Sequence, residues 1–114
     1  MILWNKYNRI ASSTRRVLTY DNWSPNFDEN FVEIKCFVDG YTREKSRTHP
    51  NWNGETTYYC RICIWGGDDT GREKDFITES FEEAMQFYKK WIKWMGELSV
   101  IGFVELRLLG FGVA

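Results

Sequence analysis

The sequence predicts an α+β domain in which an antiparallel sheet of four to five strands carries one main helix on one face and is followed by a final strand. Two observations lead to this fold class. One segment repeats apolar residues with the period of a helix, and two others alternate apolar and polar residues as half-buried strands do. A chain of 114 residues has the usual length of one domain, so residues 1–114 are expected to share one core.

The helix is expected over residues 80–98. Ser80 and Glu83 begin it with the spacing of a capping box. Steps of about 100° per residue place a first apolar stripe, which includes Phe81, Tyr88 and Ile92, against the core. A second stripe beside it consists of Phe87, Trp91, Trp94 and Leu98.

The second stripe has two interpretations. In the first, the N-terminal segment folds over it and makes a second small core with Ile2, Leu3, Trp4 and Tyr7. In the second, its rings stay open to a partner or form a homodimer, because large exposed apolar patches are uncommon on monomers. The rings of that interface are Phe87, Trp91 and Trp94.

Two segments, 31–38 and 57–65, alternate as strands with one buried face. The inward side chains are Val32, Ile34, Cys36, Val38, Tyr58, Cys60, Ile62 and Ile64. Phe37 is an apolar exception on the polar side of its strand.

The other elements follow from turn residues and shorter alternations. Glycines and aspartates predict a turn at residues 66–71, which leads into a short strand at 74–77. Residues 103–109 put Leu106 and Leu108 on the same side and are expected to form the final strand. Further strands are expected at 16–20 and 2–7, and loops at 22–30 and 39–55.

Aromatic residues make up 18% of the chain, which has a single His. Rings supply rigid contact area and His supplies most proton transfer near neutral pH, so this ratio favours binding over catalysis. The leading hypothesis is a non-enzymatic protein-binding module without a cofactor. The proposed partner-binding residues are Tyr41 and Trp52 in the long loop, Trp65 at the hairpin end and Trp94 on the helix.

The competing hypothesis is binding of single-stranded nucleic acid. The residues that would carry it lie on the outward side of the predicted sheet: Lys35, Phe37, Tyr59 and Arg61. Bases stack on rings while cations meet phosphates. Glu33 and Glu105 are expected on the same side and weaken the attraction for phosphate.

A metal site is not expected. Cys60 and Cys63 have a metal or redox spacing, and Cys36 and His49 could complete a zinc set. In a strand, however, the odd offset sends Cys60 and Cys63 to opposite faces, so Cys36 and Cys60 are assigned to the core. A third functional hypothesis, a small metal-dependent nuclease, would use Asp68, Asp69 and Asp75.

The net charge is −1, with 15 Lys and Arg against 16 Asp and Glu, so the whole chain has no field that attracts polyanions. Local basic clusters occur at residues 6–16 and 43–49; they contain Lys6, Arg9, Arg15 and Arg16 in the first and Arg43, Lys45, Arg47 and His49 in the second. The polar N-terminal segment and the odd number of cysteines predict a cytoplasmic protein without a membrane span.

The whole profile, a short, near-neutral, ring-rich chain without a catalytic motif, resembles the small accessory proteins of tailed bacteriophages. These include inhibitors of host enzymes and of bacterial defence systems. The resemblance implies a protein partner and action in the host cytoplasm.

Overall fold

The computed structural model describes residues 6–19, 31–65 and 71–113, with the backbone alone at 103, 104 and 113. In chain order the elements are β1 (Lys6–Thr19), β2 (Phe31–Arg43), β3 (Glu55–Trp65), β4 (Gly71–Thr78), α1 (Phe81–Glu97), β5 (Val100–Ile101), α2 (Phe103–Leu108) and β6 (Gly112–Val113). The predicted strand segments at 2–5 and 20, the loop at 22–30 and most of the turn at 66–71 lie outside the described residues.

The strands form one sheet in the order β5-β1-β2-β3-β4-β6, with α1 packed on one face. The α+β class and the main helix are confirmed. The sheet is mixed rather than purely antiparallel, because the two-residue strand β5 pairs in parallel with the end of β1. The other pairs are antiparallel.

The core lies between α1 and the inner face of the sheet. The alternation predicted for β2 and β3 holds: Ile34, Ile62 and the other predicted inward residues are buried, except that Tyr58 is partly buried. The buried residues of α1 are Ala84, Tyr88, Trp91 and Met95. The hydroxyl oxygens of Ser13 on β1 and Tyr88 lie 2.5 Å apart and link the sheet to the helix.

The start of α1 differs in detail from a capping box. Ser80 Oγ accepts the Glu83 N–H at 3.2 Å, as expected. The Glu83 carboxylate, however, accepts from the Thr78 hydroxyl at 2.7 Å, and this hydroxyl accepts the Ser80 N–H at 3.0 Å. The Thr78 hydroxyl thus bridges the Ser80 N–H and the Glu83 carboxylate, which bond each other directly in a capping box.

The loop expected at 39–55 is shorter than predicted. β2 continues to Arg43 and β3 begins at Glu55, so residues 44–54 remain as the loop. Hydroxyl oxygens of Thr42 and Thr56 lie 2.8 Å apart, and the Gly54 N–H donates to the Arg43 carbonyl at 2.8 Å. Cross-strand pairing stabilises these polar residues in extended conformations that their alternation does not reveal.

The final strand expected at 103–109 is wrong. This segment is the short helix α2, and the chain then adds the two-residue strand β6 to β4. Leu106 is fully buried whereas Leu108 is 82% exposed, because residues two apart do not share a face in a helix. The Glu105 carboxylate accepts the Gly102 N–H at 3.1 Å and holds the first turn.

Among the described residues, the second stripe of α1 is covered by the C-terminal segment and β4, while Ile2, Leu3 and Trp4 of the predicted N-terminal cover lie outside the described residues. Phe87 stacks on Phe76 with ring centroids 5.5 Å apart, and Trp91 meets Phe111 edge-on at 5.4 Å. These contacts remove the basis for a homodimer through Phe87, Trp91 and Trp94. Tyr7 lies on the opposite face of the sheet, so it does not cover this stripe.

The expectation that Phe81 lies in the core is wrong. Its side chain is 50% exposed at the start of α1, where the ring meets Tyr58 edge-on.

Within the described ranges, no helix combines the length and the apolar character that crossing a bilayer requires.

Candidate functional site

The sheet surface that points away from α1 is called the outer face. Its main aromatic, apolar and charged side chains are Tyr7, Arg9, Arg16, Leu18, Glu33, Lys35, Phe37, Asp39, Tyr41, Tyr59, Arg61, Trp65, Glu73, Asp75 and Ile77. A β-bulge at Ile10 keeps both Arg9 and Ser12 on this side of β1. Neither described helix covers the outer face, because α1 packs on the other face.

Exposed apolar side chains are concentrated on this face. Of the six large hydrophobic residues that are exposed in the described part of the chain, four belong to it: Tyr7, Leu18, Trp65 and Ile77, each between 40% and 64% exposed. Phe81 and Leu108 on the helices are the others. The exposed apolar side chains of the described residues therefore lie mainly on one face of the sheet, with Tyr7 and Leu18 near opposite ends of β1.

The centre of the outer face brings together the four residues expected to bind nucleic acid. The rings of Phe37 and Tyr59 lie 6.2 Å apart. The Lys35 ammonium lies 5.9 Å from the Phe37 ring, and the Arg61 guanidinium 5.2 Å from the Tyr59 ring. Arg9, which the sequence-based assignment missed, lies over Phe37 at 4.4 Å.

Carboxylates surround these cations. Arg61 donates to Asp75 through Nε at 2.7 Å and Nη2 at 3.0 Å, and its Nη1 lies 3.1 Å from Glu73. Arg9 pairs with Asp39, a buried carboxylate. The hydrogen bond to Asp75 raises the pKa of Arg61. The positive charge of Arg61 is therefore paired with carboxylates of the outer face.

Tyr59 belongs to the same network. Its hydroxyl donates to Asp75 at 3.0 Å. Burial, and then this hydrogen bond, raise the pKa of Tyr59 to about 12, so the phenol stays protonated at neutral pH. It is a fixed hydrogen-bond donor and offers no base for proton transfer.

Across the outer face, the two signs of charge are balanced in number. The cations Arg9, Arg16, Lys35 and Arg61 are matched by the anions Glu33, Asp39, Glu73 and Asp75. At the far end of the strands, Arg43 lies 3.2 Å from Glu55. Such a surface has little net attraction for a phosphate backbone.

The expected partner-binding residues fall in three places. Tyr41 lies on β2, with its ring 5.0 Å from Tyr7, and Trp65 lies at the end of β3; both belong to the outer face. Trp52 lies in the 44–54 loop, where its ring stacks on His49 at 3.8 Å. Trp94 packs near Phe111 at 5.8 Å and lines a groove of about 420 Å³ between α1 and α2.

The sequence-based site missed Tyr7, Leu18 and Ile77. Ile77 stands one position after the inward Phe76, so its outward orientation follows from the alternation of β4. Tyr7 and Leu18 lie near the two ends of β1, whose polar middle residues hid a continuous strand.

The two basic clusters approach each other at Lys6. Lys6 pairs in register with Thr42, and its ammonium lies 3.6 Å from Glu44. Arg15 is further along β1, where its guanidinium donates to the Met95 carbonyl. The clusters therefore do not combine into one basic patch.

The cysteines divide between the faces as the strand offset predicts. Cys36 and Cys60 are fully buried on the inner side, which confirms their assignment to the core. Burial raises the pKa of Cys36 to about 12 and that of Cys60 to about 11, so both thiols stay protonated. Cys63 lies on the outer side and accepts the Trp65 indole N–H at 3.2 Å.

In the part of the chain that the structure describes, no three His, Cys, Asp or Glu side chains lie close enough together to hold a metal ion. Asp75 is engaged by Arg61 and Tyr59. Asp68 and Asp69, the other residues of the nuclease hypothesis, lie outside the described residues.

Comparison with protein-family models, curated proteins and solved structures found no match, so the function of the outer face is argued from the chemistry of its own residues.

Proposed function

We propose that this protein is a non-enzymatic protein-binding module and that the outer face is its interface. The observation that carries the proposal is the concentration of Tyr7, Leu18, Trp65 and Ile77 on the face opposite α1. Burying these side chains under a partner contributes favourable free energy, about 25 cal/mol for each Å² of apolar surface removed from water.

The charges of the outer face support a protein partner over a nucleic acid. A balanced set of cations and anions can pair with both signs on a protein surface, and such charged groups set orientation and specificity. The Arg61 network also holds Tyr59 in place before binding, so less side-chain entropy is lost when the partner docks.

Trp65 is expected to be a major contributor. It is partly exposed at the end of β3, and its indole N–H is held by Cys63. Trp and Tyr are enriched among the few residues that dominate interface energies, because they bury a large area at little cost in rotamer freedom. Tyr41 against Tyr7 forms a second aromatic contact on the same face.

The partner class follows from the resemblance to phage accessory proteins. In this proposal the partner is a host enzyme or a defence protein in the bacterial cytoplasm, and binding inhibits it. Trp52 lies in the 44–54 loop and Trp94 on α1, not on the strands of the outer face, so in this proposal they make no central contact.

Binding of single-stranded nucleic acid is the second candidate. It is favoured by one observation, the meeting of Lys35, Phe37, Tyr59 and Arg61 in one cluster. The carboxylates of Glu73 and Asp75 oppose it, because they occupy the guanidinium that a phosphate would need.

The test is quantitative capture from a bacterial lysate with three immobilised baits: the natural chain, the double variant Trp65→Ala with Ile77→Lys, and the control Leu108→Lys. Leu108 is highly exposed on α2, away from the outer face, so the control matches the added charge. We expect at least one protein to be retained by the natural chain and the control and lost from the double variant.

Retention that is unaffected by the double variant contradicts the proposal. A parallel titration with a fluorescent single-stranded oligonucleotide at two salt concentrations tests the second candidate. Tight binding that weakens steeply with salt would favour nucleic acid instead.

A further inference from the structure

The groove of about 420 Å³ between α1 and α2 has a mostly apolar lining. The apolar side chains come from the end of α1, the chain that follows it and the end of α2: Trp94, Leu98, Val100, Leu108 and Leu109. Its volume falls in the range of about 300–1,000 Å³ in which proteins bind small molecules. The groove therefore suits the apolar part of a small ligand.

Two of these side chains offer apolar surface to such a ligand. Leu108 is 82% exposed, the highest value among the exposed large hydrophobic residues of the described ranges. Trp94 is partly buried, with its ring 5.8 Å from that of Phe111, and also lines the groove. A ligand in contact with both residues removes apolar surface from water, which favours binding.

Glu97 adds an unpaired negative charge to the groove. It belongs to the lining and its side chain is exposed. None of the described Lys, Arg and His residues forms an ion pair with it. The residues outside the described ranges contain no Lys, Arg or His, so they supply no cationic side chain either.

The charged neighbours of Glu97 leave it as the anchor of the site. The last turn of α1 contains no basic residue, and Arg15 donates to the carbonyl of buried Met95 instead. Glu105 is a second carboxylate in the lining, but it already accepts the Gly102 N–H at 3.1 Å. The groove thus combines an apolar wall with a carboxylate that lacks a counter-ion.

We propose that this groove binds a small organic ammonium ion with an apolar tail. The tail lies against Trp94 and Leu108, and the ammonium pairs with Glu97 and donates to the Ser99 hydroxyl, which also lines the groove. A neutral compound lacks the charge pair, and Glu97 repels an anion. The site contains no residue of β1–β4, so the inference is independent of the proposed function of the outer face.

The experiment compares three probes that share one tail and differ in the charge at its end: phenylbutylammonium, phenylbutanol and phenylbutanoate. Each is titrated into the natural chain while backbone amide NMR shifts are recorded. We expect shifts at residues 94–100 and 105–109. The ammonium should bind about three- to fivefold more tightly than the alcohol, the range for an exposed ion pair, and the anion should bind most weakly.

Variants at exposed positions separate the charge from the apolar contact. Glu97→Gln keeps the shape of the side chain and should lower the affinity of the ammonium to that of the alcohol, whose own affinity stays unchanged. Glu82→Gln, near the start of α1, is the matched control and should leave the preference intact. Leu108→Ala should weaken all three probes by a similar factor, because it shortens the apolar wall.

Three outcomes overturn the inference: no shifts at these residues with the ammonium up to its solubility limit, equal affinities for the ammonium and the alcohol, or a preference for the ammonium that survives Glu97→Gln. The double variant Trp65→Ala with Ile77→Lys should bind the ammonium as the natural chain does. Loss of partner capture by that variant and loss of the ammonium by Glu97→Gln are therefore observed separately, and either proposal can fail without the other.

Discussion

Arg61 and Asp75 stand directly opposite each other on β3 and β4 and are joined at two points, Nε to Oδ1 at 2.7 Å and Nη2 to Oδ2 at 3.0 Å. This pair bears on both functional hypotheses. It removes a cation from any phosphate contact, and it fixes the ring of Tyr59, whose hydroxyl shares the same carboxylate. The geometry thus places a sequence pattern typical of nucleic-acid binding in a charge-balanced network.

Replacing the shared carboxylate should lower the pKa of Tyr59. In Asp75→Ala the phenol loses its acceptor and a nearby negative charge, so its pKa should fall from about 12 toward the ordinary value, with burial still holding it somewhat high. Tyrosine NMR signals followed through alkaline pH measure the shift. Glu82→Ala on the polar side of α1 is the control, and an unchanged Tyr59 titration would contradict the hydrogen bond.

The same variant also tests the outer-face charges. Because Arg61 and Asp75 are partly exposed, the loss in the free energy of unfolding should stay below about 1 kcal/mol. Removing one of the two carboxylates that pair with Arg61 should increase the affinity for a single-stranded oligonucleotide, measured by fluorescence anisotropy. A large loss of stability in chemical denaturation would show that the pair is chiefly structural.

The contact between Ser13 and Tyr88 should contribute measurably to stability. Tyr88→Phe and Ser13→Ala should each reduce the free energy of unfolding, and a double-mutant cycle should give a coupling of about 1 kcal/mol. Ser12→Ala, on the outer side of the same strand, should have little effect. Strict additivity of the two changes in urea denaturation would argue against the hydrogen bond.

Phe111 should be a major part of the cover over α1. It is buried against Trp91 and Trp94, so Phe111→Ala should cost about 3–5 kcal/mol and shift tryptophan fluorescence to longer wavelength as water reaches the indoles. Leu108→Ala, at an exposed position of α2, should change stability by less than about 0.5 kcal/mol. Equal effects of the two variants would contradict the described packing of the C-terminal segment.

Stability should decline in alkaline solution because of the buried thiols. Burial raises the folded-state pKa of Cys36 to about 12 and that of Cys60 to about 11, above the ordinary value of 9.0. Their neutral forms are therefore favoured by folding. The contribution of these neutral thiols to the free energy of unfolding is fully present below pH 9. It falls as pH rises toward 11–12, by up to about 1.4 kcal/mol per pH unit for each thiol.

Urea midpoints measured across this pH range test the expectation. Cys36→Ala should flatten the decline, because the variant removes one titrating group, although it also leaves a small cavity. A pH dependence identical in the natural chain and the variant would show that other groups control alkaline unfolding.

Regular local patterns predicted the main elements well. The helix expected at 80–98 is found at Phe81–Glu97, since both its period and its Ser80 cap are properties of one contiguous segment. The inward positions of β2 and β3 follow from alternation for the same reason. The outward orientation of Phe37 could also be predicted from the alternation of β2, but the function of that face could not.

Short or polar segments were misjudged. Leu106 and Leu108 alternate over too few residues to separate a strand from a helix, although Glu105 three positions after Gly102 and a left-handed Gly110 mark the ends of a short helix. β1 was divided because polar residues fill its middle. There, Ser13 and Arg15 are stabilised by contacts with α1, far away in the chain.

The fold class, the main helix and the inner sides of the central strands could be predicted, because periodicity is encoded within each segment. Which rings remain exposed could not. Trp91 is covered by Phe111 and Phe87 by Phe76, whereas Trp65 and Ile77 stay open on the outer face. Exposure depends on which distant segments pack together, and no local pattern contains that information.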